Sequence, residues 1–140
     1  MTPFEAYEFI LLALCCWREA RDQGPNGMRA VCWAVRNRVV KPGNTWWGDD
    51  WEEVILKRWQ FTSFEKSDPN VSKLPGDPSK DPSWQQALEA AYDVYRGVGD
   101  DITQGATHYY NPDAVLIIPT WVKTATFKCR IGKHMFYQTL

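Results

Sequence analysis

Apolar residues recur at helical spacing through most of the chain, and strand-like runs appear only in its last third. Thr2-Pro3-Phe4-Glu5 has the form of a capping box, with Pro in the first turn where its missing amide costs nothing. The helix it opens is predicted to run to about Arg21. Residues 9–17 inside it are apolar on all sides, so other elements must surround them. Gly24-Pro25-Asn26-Gly27 reads as a turn. A second helix follows to about Val39, with Met28, Val31, Cys32, Val35 and Val39 as its inner stripe. Residues 41–48 read as a loop, and Asp49 with Glu52 suggests the cap of a short helix to about Trp59.

From residue 63 to 82 the chain is polar and carries Pro69, Pro75, Pro78 and Pro82. A segment that long without regular structure inside one domain is often functional. Asp81-Pro82 opens a third long helix, with Trp84, Leu88, Ala91, Tyr95 and Val98 predicted inward and Gly97 and Gly99 ending it. Residues 107–110, 114–118 and 127–137 are rich in β-branched and aromatic types and predict short strands. The expectation is one domain over residues 1–140, of α+β class and mainly α, with a small antiparallel sheet in the C-terminal part.

Length and composition fit a single soluble core: 140 residues, 44% hydrophobic and 24% charged. A net charge of −1 offers no basic field for nucleic acid or anionic lipid, and neither is expected as a partner. The apolar run at residues 9–17 is too short to span a bilayer. Glu5 and Glu8 precede it in place of Lys or Arg, so it reads as a buried helix and no export signal is visible. Eight Trp either stack on sugar faces or fill the core. Cys15, Cys16, Cys32 and Cys129 lack metal-type spacing and read as buried thiols, with a Cys32–Cys129 bridge left open.

Chemistry concentrates on Glu19. On a helix it shares a side with Leu12, Cys15 and Cys16, so a carboxylate continues an otherwise apolar face. Burial and the negative end of the helix dipole both favour the protonated acid, while Arg18 and Arg21 are expected to point elsewhere around the helix. Such an acid suits protonation of a departing sugar oxygen. A simple pairing of Glu19 with an Arg at a helix end is the plainer alternative. A zinc site from His108, His134 and Cys129 is disfavoured, because the two His lack helical pairing, and no metal or cofactor is expected.

Trp17-Arg18-Glu19-Ala20-Arg21, Gly27, Ala30-Val31 and Arg36-Asn37-Arg38-Val39 resemble the SleB-type cell wall hydrolases, which include spore-cortex-lytic enzymes and phage or prophage lysins. Gln60-Phe61-Thr62, Gly105-Ala106-Thr107-His108-Tyr109-Tyr110 and Ile131-Gly132-Lys133-His134-Met135-Phe136-Tyr137 extend the resemblance in order along the chain. It implies a lysozyme-like fold and lytic transglycosylase chemistry on peptidoglycan glycan strands, with Glu19 as the catalytic acid/base. Gln60 and Thr62 would face the cleft, with Phe61 in the core. Tyr109 would meet Glu19 or the substrate, and His108 would serve the site or the local hydrogen bonding. Tyr110 and Trp121 would line sugar subsites or close the core, and His134 would support the sheet.

The chain departs from the family at Met28, where a polar residue is usual, and at Trp17-Arg18, which replaces an aromatic pair. The spore enzymes' accessory wall-binding domain has no counterpart in these residues. The second point favours a compact phage-type endolysin, expected to be monomeric, acting on the cell wall and released through a holin or another exit route. A muramidase that uses water and a non-catalytic peptidoglycan-binding module are the alternatives. The first needs a second carboxylate, and Asp49, Asp50, Glu65 and Asp68 read as caps and loop charges. The second has no need of a desolvated acid.

Overall fold

The computed structural model describes residues 1–41, 46–57 and 68–139, without the side chain of Val71. Gln60 and Thr62 lie outside the described residues, as does Trp59 at the expected end of the short helix. Helix α1 is Pro3–Ala20, followed by a 3-10 turn at Arg21–Gln23 and helix α2 at Gly24–Val40. Helix α3 is Trp51–Leu56, a 3-10 turn follows at Pro69–Ser72, and helix α4 is Pro82–Tyr95. Strand β1 is His108–Tyr110, and β2 (Thr126–Ile131) and β3 (His134–Gln138) form a hairpin. The sheet is antiparallel in the order β1-β3-β2.

Local chemistry fixes the helix starts. Thr2 accepts from the Glu5 amide while the Glu5 carboxylate accepts from the Thr2 amide, closing the expected capping box on α1. The cap of α3 is Asp50 rather than Asp49: its side chain accepts from Glu53 N at 2.8 Å, and Glu53 accepts in return from Asp49 N. Asp81 caps α4 through Ser83 N and Trp84 N.

The core forms where α1, α2, α3 and α4 meet. Leu12, Ala13, Cys15, Cys16, Met28, Val31, Cys32 and Val35 are all fully buried there. Burial of Met28 gives a packing reason for an apolar residue at that position. The inner stripe of α4 differs from the expected one. Ala87, Ala90, Ala91 and Val94 are its buried residues, Trp84, Leu88 and Tyr95 sit at its flanks, and Val98 lies beyond the helix, exposed. Small side chains let α4 approach α1 and α2 closely, so the bulky residues are displaced to the edges. All four cysteines are free thiols.

Residues 114–118 do not form a strand. Asn111 Oδ1 accepts from Asp113 N, and Asn111 O accepts from Ala114 N at 3.1 Å, turning the chain away from the sheet. Val115, Leu116, Ile117 and Ile118 are left exposed. Strand-like composition fits a half-buried pleated surface, and here no sheet edge receives it.

The Arg36-Asn37-Arg38 block of α2 organises the approach to β1. Arg36 donates to the carbonyls of Val94 and Tyr95 at the end of α4. Asn37 Nδ2 donates to Asp101 Oδ2 (2.8 Å) and to Ala106 O (2.9 Å). Asp101 in turn accepts from Thr103 and Gly105. Arg38 Nε donates to Thr107 O. Asn37 and Arg38 thus hold the segment that delivers Tyr109, while Arg36 ties α2 to the end of α4.

Candidate active site

Glu19 lies in the last turn of α1, half-buried, on the helix side occupied by Leu12, Cys15 and Cys16. It opens into a hollow of about 440 Å³ whose walls are the α1–α2 junction (Asp22, Gln23), Arg38, the β1 end and following loop (Tyr109, Tyr110, Asn111, Ala114, Val115) and the hairpin turn (Lys133, His134). A second hollow of about 290 Å³ is lined by Arg18, Glu19, Arg21, Asp22 and Asn70. Glu19 and Asp22 belong to both, so the carboxyl stands where the two halves of a cleft meet. Arg18 and Arg21 therefore do not point away from the site; they form one of its walls. Burial alone does not mark the acid. Glu8 is more buried than Glu19, but it accepts a 2.8 Å hydrogen bond from Tyr95 Oη and lines neither hollow.

Strand alternation divides the β1 candidates between two faces. Tyr109 pairs with Phe136 and turns to the helices, its ring 4.7 Å from His134 and 5.4 Å from Phe136. Burial, and then the negative charge of Glu19, push its phenol well above the usual range. His108 pairs with Tyr137 on the opposite face and packs against Trp47 and Trp121, outside the cleft. Trp121 joins the same cluster through Tyr110 and Tyr137. Tyr110 reaches both the cluster and the cleft rim. None of the described Trp residues lines either hollow; Trp17, Trp33, Trp47 and Trp51 serve the core. Among the described residues no cluster of three His, Cys, Asp or Glu could hold a metal, and no helix is long and apolar enough to cross a membrane.

Arg38 is the site residue that sequence reasoning left without a role. It is only 5% exposed, yet it carries a charge beside the acid. Burial lowers its pKa to about 10, against the opposing pull of Tyr109, Cys15 and Glu19, so it stays a cation at neutral pH. The signal was present: Arg38 follows Val31 and Val35 on the inner face of α2, a charge continuing an apolar stripe as Glu19 does on α1.

Both histidines are buried neutral. Burial, then the charges of Arg38 and Lys41, lower His108 to about 3 from 6.5. Burial, with Lys133 opposed by Asp22, lowers His134 to about 4. Below pH 6.5 the unfolded chain takes up two protons that the folded protein refuses until about pH 4. Stability should therefore fall with pH across this window, by up to about 1.4 kcal/mol per unit for each histidine. Urea unfolding of wild type and His108→Asn between neutral pH and pH 4.5 checks this. The variant should lose stability less steeply, and equal slopes would refute the assignment.

Residues 22–137 match the profile of the family described as Cell Wall Hydrolase. The chain belongs to the cell wall hydrolase family. Glu19 itself lies just outside the matched residues. This cell wall hydrolase is 29% identical over 126 residues to a spore cortex-lytic enzyme of Halalkalibacterium halodurans, covering 90% of this chain. It spans 33% of that relative's length. Its fold is similar to the catalytic domain of the Bacillus cereus SleB protein, with TM-score 0.71 and 26% identity over 94% of this chain and 89% of that one. It is equally similar, at TM-score 0.71 and 25% identity over 94% of this chain and 93% of the other, to the catalytic domain of the germination-specific lytic transglycosylase SleB from Bacillus anthracis. The mainly helical architecture with its small antiparallel sheet is thus that of the SleB catalytic domain.

Proposed function

We propose that this cell wall hydrolase is a peptidoglycan lytic transglycosylase with Glu19 as its one catalytic acid/base. The observation that carries this reading is the position of Glu19, at the junction of two hollows and on an apolar helix face. A glycan strand laid through the cleft puts one sugar on each side of the carboxyl. Protonated Glu19 donates to the glycosidic oxygen between N-acetylmuramic acid and N-acetylglucosamine, and the C1–O bond breaks. The carboxylate then takes the proton of the muramic C6 hydroxyl, and O6 bonds to C1 as a 1,6-anhydro ring. No water is consumed, and a proton relay of this kind requires neither metal nor cofactor. Arg38 supplies positive charge that stabilises the carboxylate formed between the two transfers. Tyr110 borders the cleft where sugars would lie, the buried Tyr109 phenol lies close enough to Glu19 to feel its charge, and Gln60 and Thr62 are proposed as further cleft residues.

Hydrolysis has one specific observation in its favour: Asp22 is a second carboxylate on both hollows. It is badly placed to act as a base. Partial burial opposes its ionisation, yet the hydrogen bond and charge of Lys133, 3.0 Å away, bring it below the usual carboxylate range. With 60% of its side chain exposed, it is a solvated member of an ion pair. Asp22→Asn should keep activity on purified cell walls within about threefold, as expected where only a surface ion pair is lost. A fall of 10²-fold or more, typical of a lost catalytic base, would favour hydrolysis. Mass spectrometry decides independently: anhydro-muramic ends for the transglycosylase, reducing muramic ends for a muramidase. A phage-type lysin is one biological setting for this activity. Clearing of host cells only after their membrane is permeabilised would support it.

A further inference from the structure

We propose that Arg21 is a carboxylate-binding residue of the cleft, and that it takes the acidic group borne by the C3 substituent of muramic acid. This rests on the peptidoglycan reading above. Arg21 caps the C-terminal end of α1, two residues after Glu19, and its backbone amide donates to Trp17 O. Its guanidinium is held in place from several directions. Nη1 donates to Trp17 O (3.4 Å) and Arg18 O (3.2 Å), and Nη2 donates to Asn70 Oδ1 (2.9 Å). The group lies 4.6 Å over the Trp17 ring, and that ring is itself anchored by Nε1 donating to Ser83 Oγ at 3.0 Å.

All of these partners are neutral. The ion pairs among the described residues use Arg29, Arg96 and Lys133. Arg21 is thus a positioned cation on the wall of a cleft, met by no described carboxylate. Its Nε–H and second Nη2–H, the side-on edge that matches a carboxylate in two parallel hydrogen bonds, have no acceptor among the described residues. The opposing charges facing the hollow are Glu19 and Asp22. Asp22 is engaged by Lys133, which offsets its repulsion of an incoming anion. Arg18 on the same wall adds positive charge.

Along a glycan strand only every second sugar carries a lactyl ether. That ether bears a free carboxylate, or an amide to a stem peptide with carboxylates of its own. N-acetylglucosamine has neither. A cation on one side of Glu19 therefore sets the register of the strand, so that the bond presented to the acid follows a muramic residue. Binding energy is used for positioning, which controls productive binding rather than the proton transfers.

The test compares wild type with Arg21→Gln and Arg21→Lys on three substrates: glycan strands bearing stem peptides, strands stripped of peptides by an amidase, and peptide-bearing strands whose carboxylates have been converted to methylamides. Arg21→Gln should raise KM about tenfold or more on the carboxylate-bearing strands, with kcat little changed, as expected for a lost charge-assisted pair. On the methylamides it should match wild type, and Arg21→Lys should fall between. A loss on peptide-free strands assigns the lactyl carboxylate; a loss confined to peptide-bearing strands assigns the stem. Equal KM values everywhere, or an equal loss on the methylamides, would overturn the proposal. Cosedimentation of Glu19→Gln and Glu19→Gln/Arg21→Gln with the same strands reads binding without cleavage. If wild type cuts none of the strands, the transglycosylase reading fails. The Arg21 inference then stands or falls on whether the double variant loses affinity for carboxylate-bearing strands alone.

Discussion

Replacing Glu19 with glutamine is expected to abolish wall cleavage while leaving the fold intact. The amide keeps the size and most of the hydrogen-bonding capacity of the acid at the junction of the two hollows, but it can neither donate nor recover a proton. General acid–base catalysis contributes on the order of 10²–10⁴-fold. Here one residue is assigned both proton transfers, so the loss should reach or exceed the upper end. Two effects on stability oppose each other. Removing a carboxylate from the negative end of α1 is favourable, whereas Arg38 loses a negative charge that helps to hold it ionised. The thermal midpoint should therefore move by no more than about 4 °C in a chain of this size. Folded Glu19→Gln protein that still cleared cell walls at the wild-type rate would show that another group is the acid.

Replacing Arg38 with methionine should weaken both stability and catalysis. The aliphatic part of the side chain is conserved in volume. The guanidinium leaves behind the Thr107 carbonyl it bonds, its position 5.8 Å from the centre of the Trp47 ring, and its charge beside Glu19 and Tyr109. A buried acceptor that loses its donor costs about 1–3 kcal/mol, so the midpoint should fall by roughly 4–10 °C. Because Thr107 leads directly into β1, Tyr109 should lose its fixed position, and kcat should fall roughly 10²-fold, as for removal of one fixed electrostatic donor. Arg38→Lys keeps the charge without the planar fork and should recover part of the rate. Wild-type kcat in a folded Arg38→Met protein would reduce Arg38 to a packing role.

Much of the helical part was legible because capping and periodicity are local. Thr2-Pro3-Phe4-Glu5 and Asp81-Pro82 begin helices where their chemistry says they should. The errors came where tertiary contacts decide. The stripe of α4 is built from alanines because of how closely α1 and α2 approach, a fact absent from the helix's own pattern. Residues 114–118 have strand composition but no edge to join. In the site, Glu19 was visible as a charge continuing an apolar face, and Arg38 was visible by the same logic on α2. Arg21 and Asp22 were not, because they lie in the 3-10 turn where helical projection no longer says which way a side chain points. The opposite orientations of His108 and Tyr109 followed from strand alternation once the register to β3 was known.

The hairpin turn leans on the helix junction that follows Glu19. Gln23 Oε1 accepts from Lys133 N at 2.9 Å, and Lys133 reaches Asp22. Gly132 has φ 59°, and a β-carbon there would sit 2.6 Å from that same Gln23 oxygen. A side chain at this position would strain the left-handed backbone and displace the Gln23 side chain from its bond to Lys133, loosening the tie between the turn and the helix junction. In evolutionary terms this closes one route to new wall specificities and leaves another open. The hairpin is committed to holding the acid's surroundings at a fixed width. The segment around residues 111–118, which borders the same hollow but is tied to no helix junction, is free to lengthen, shorten and change sequence as the enzyme meets different bacterial walls.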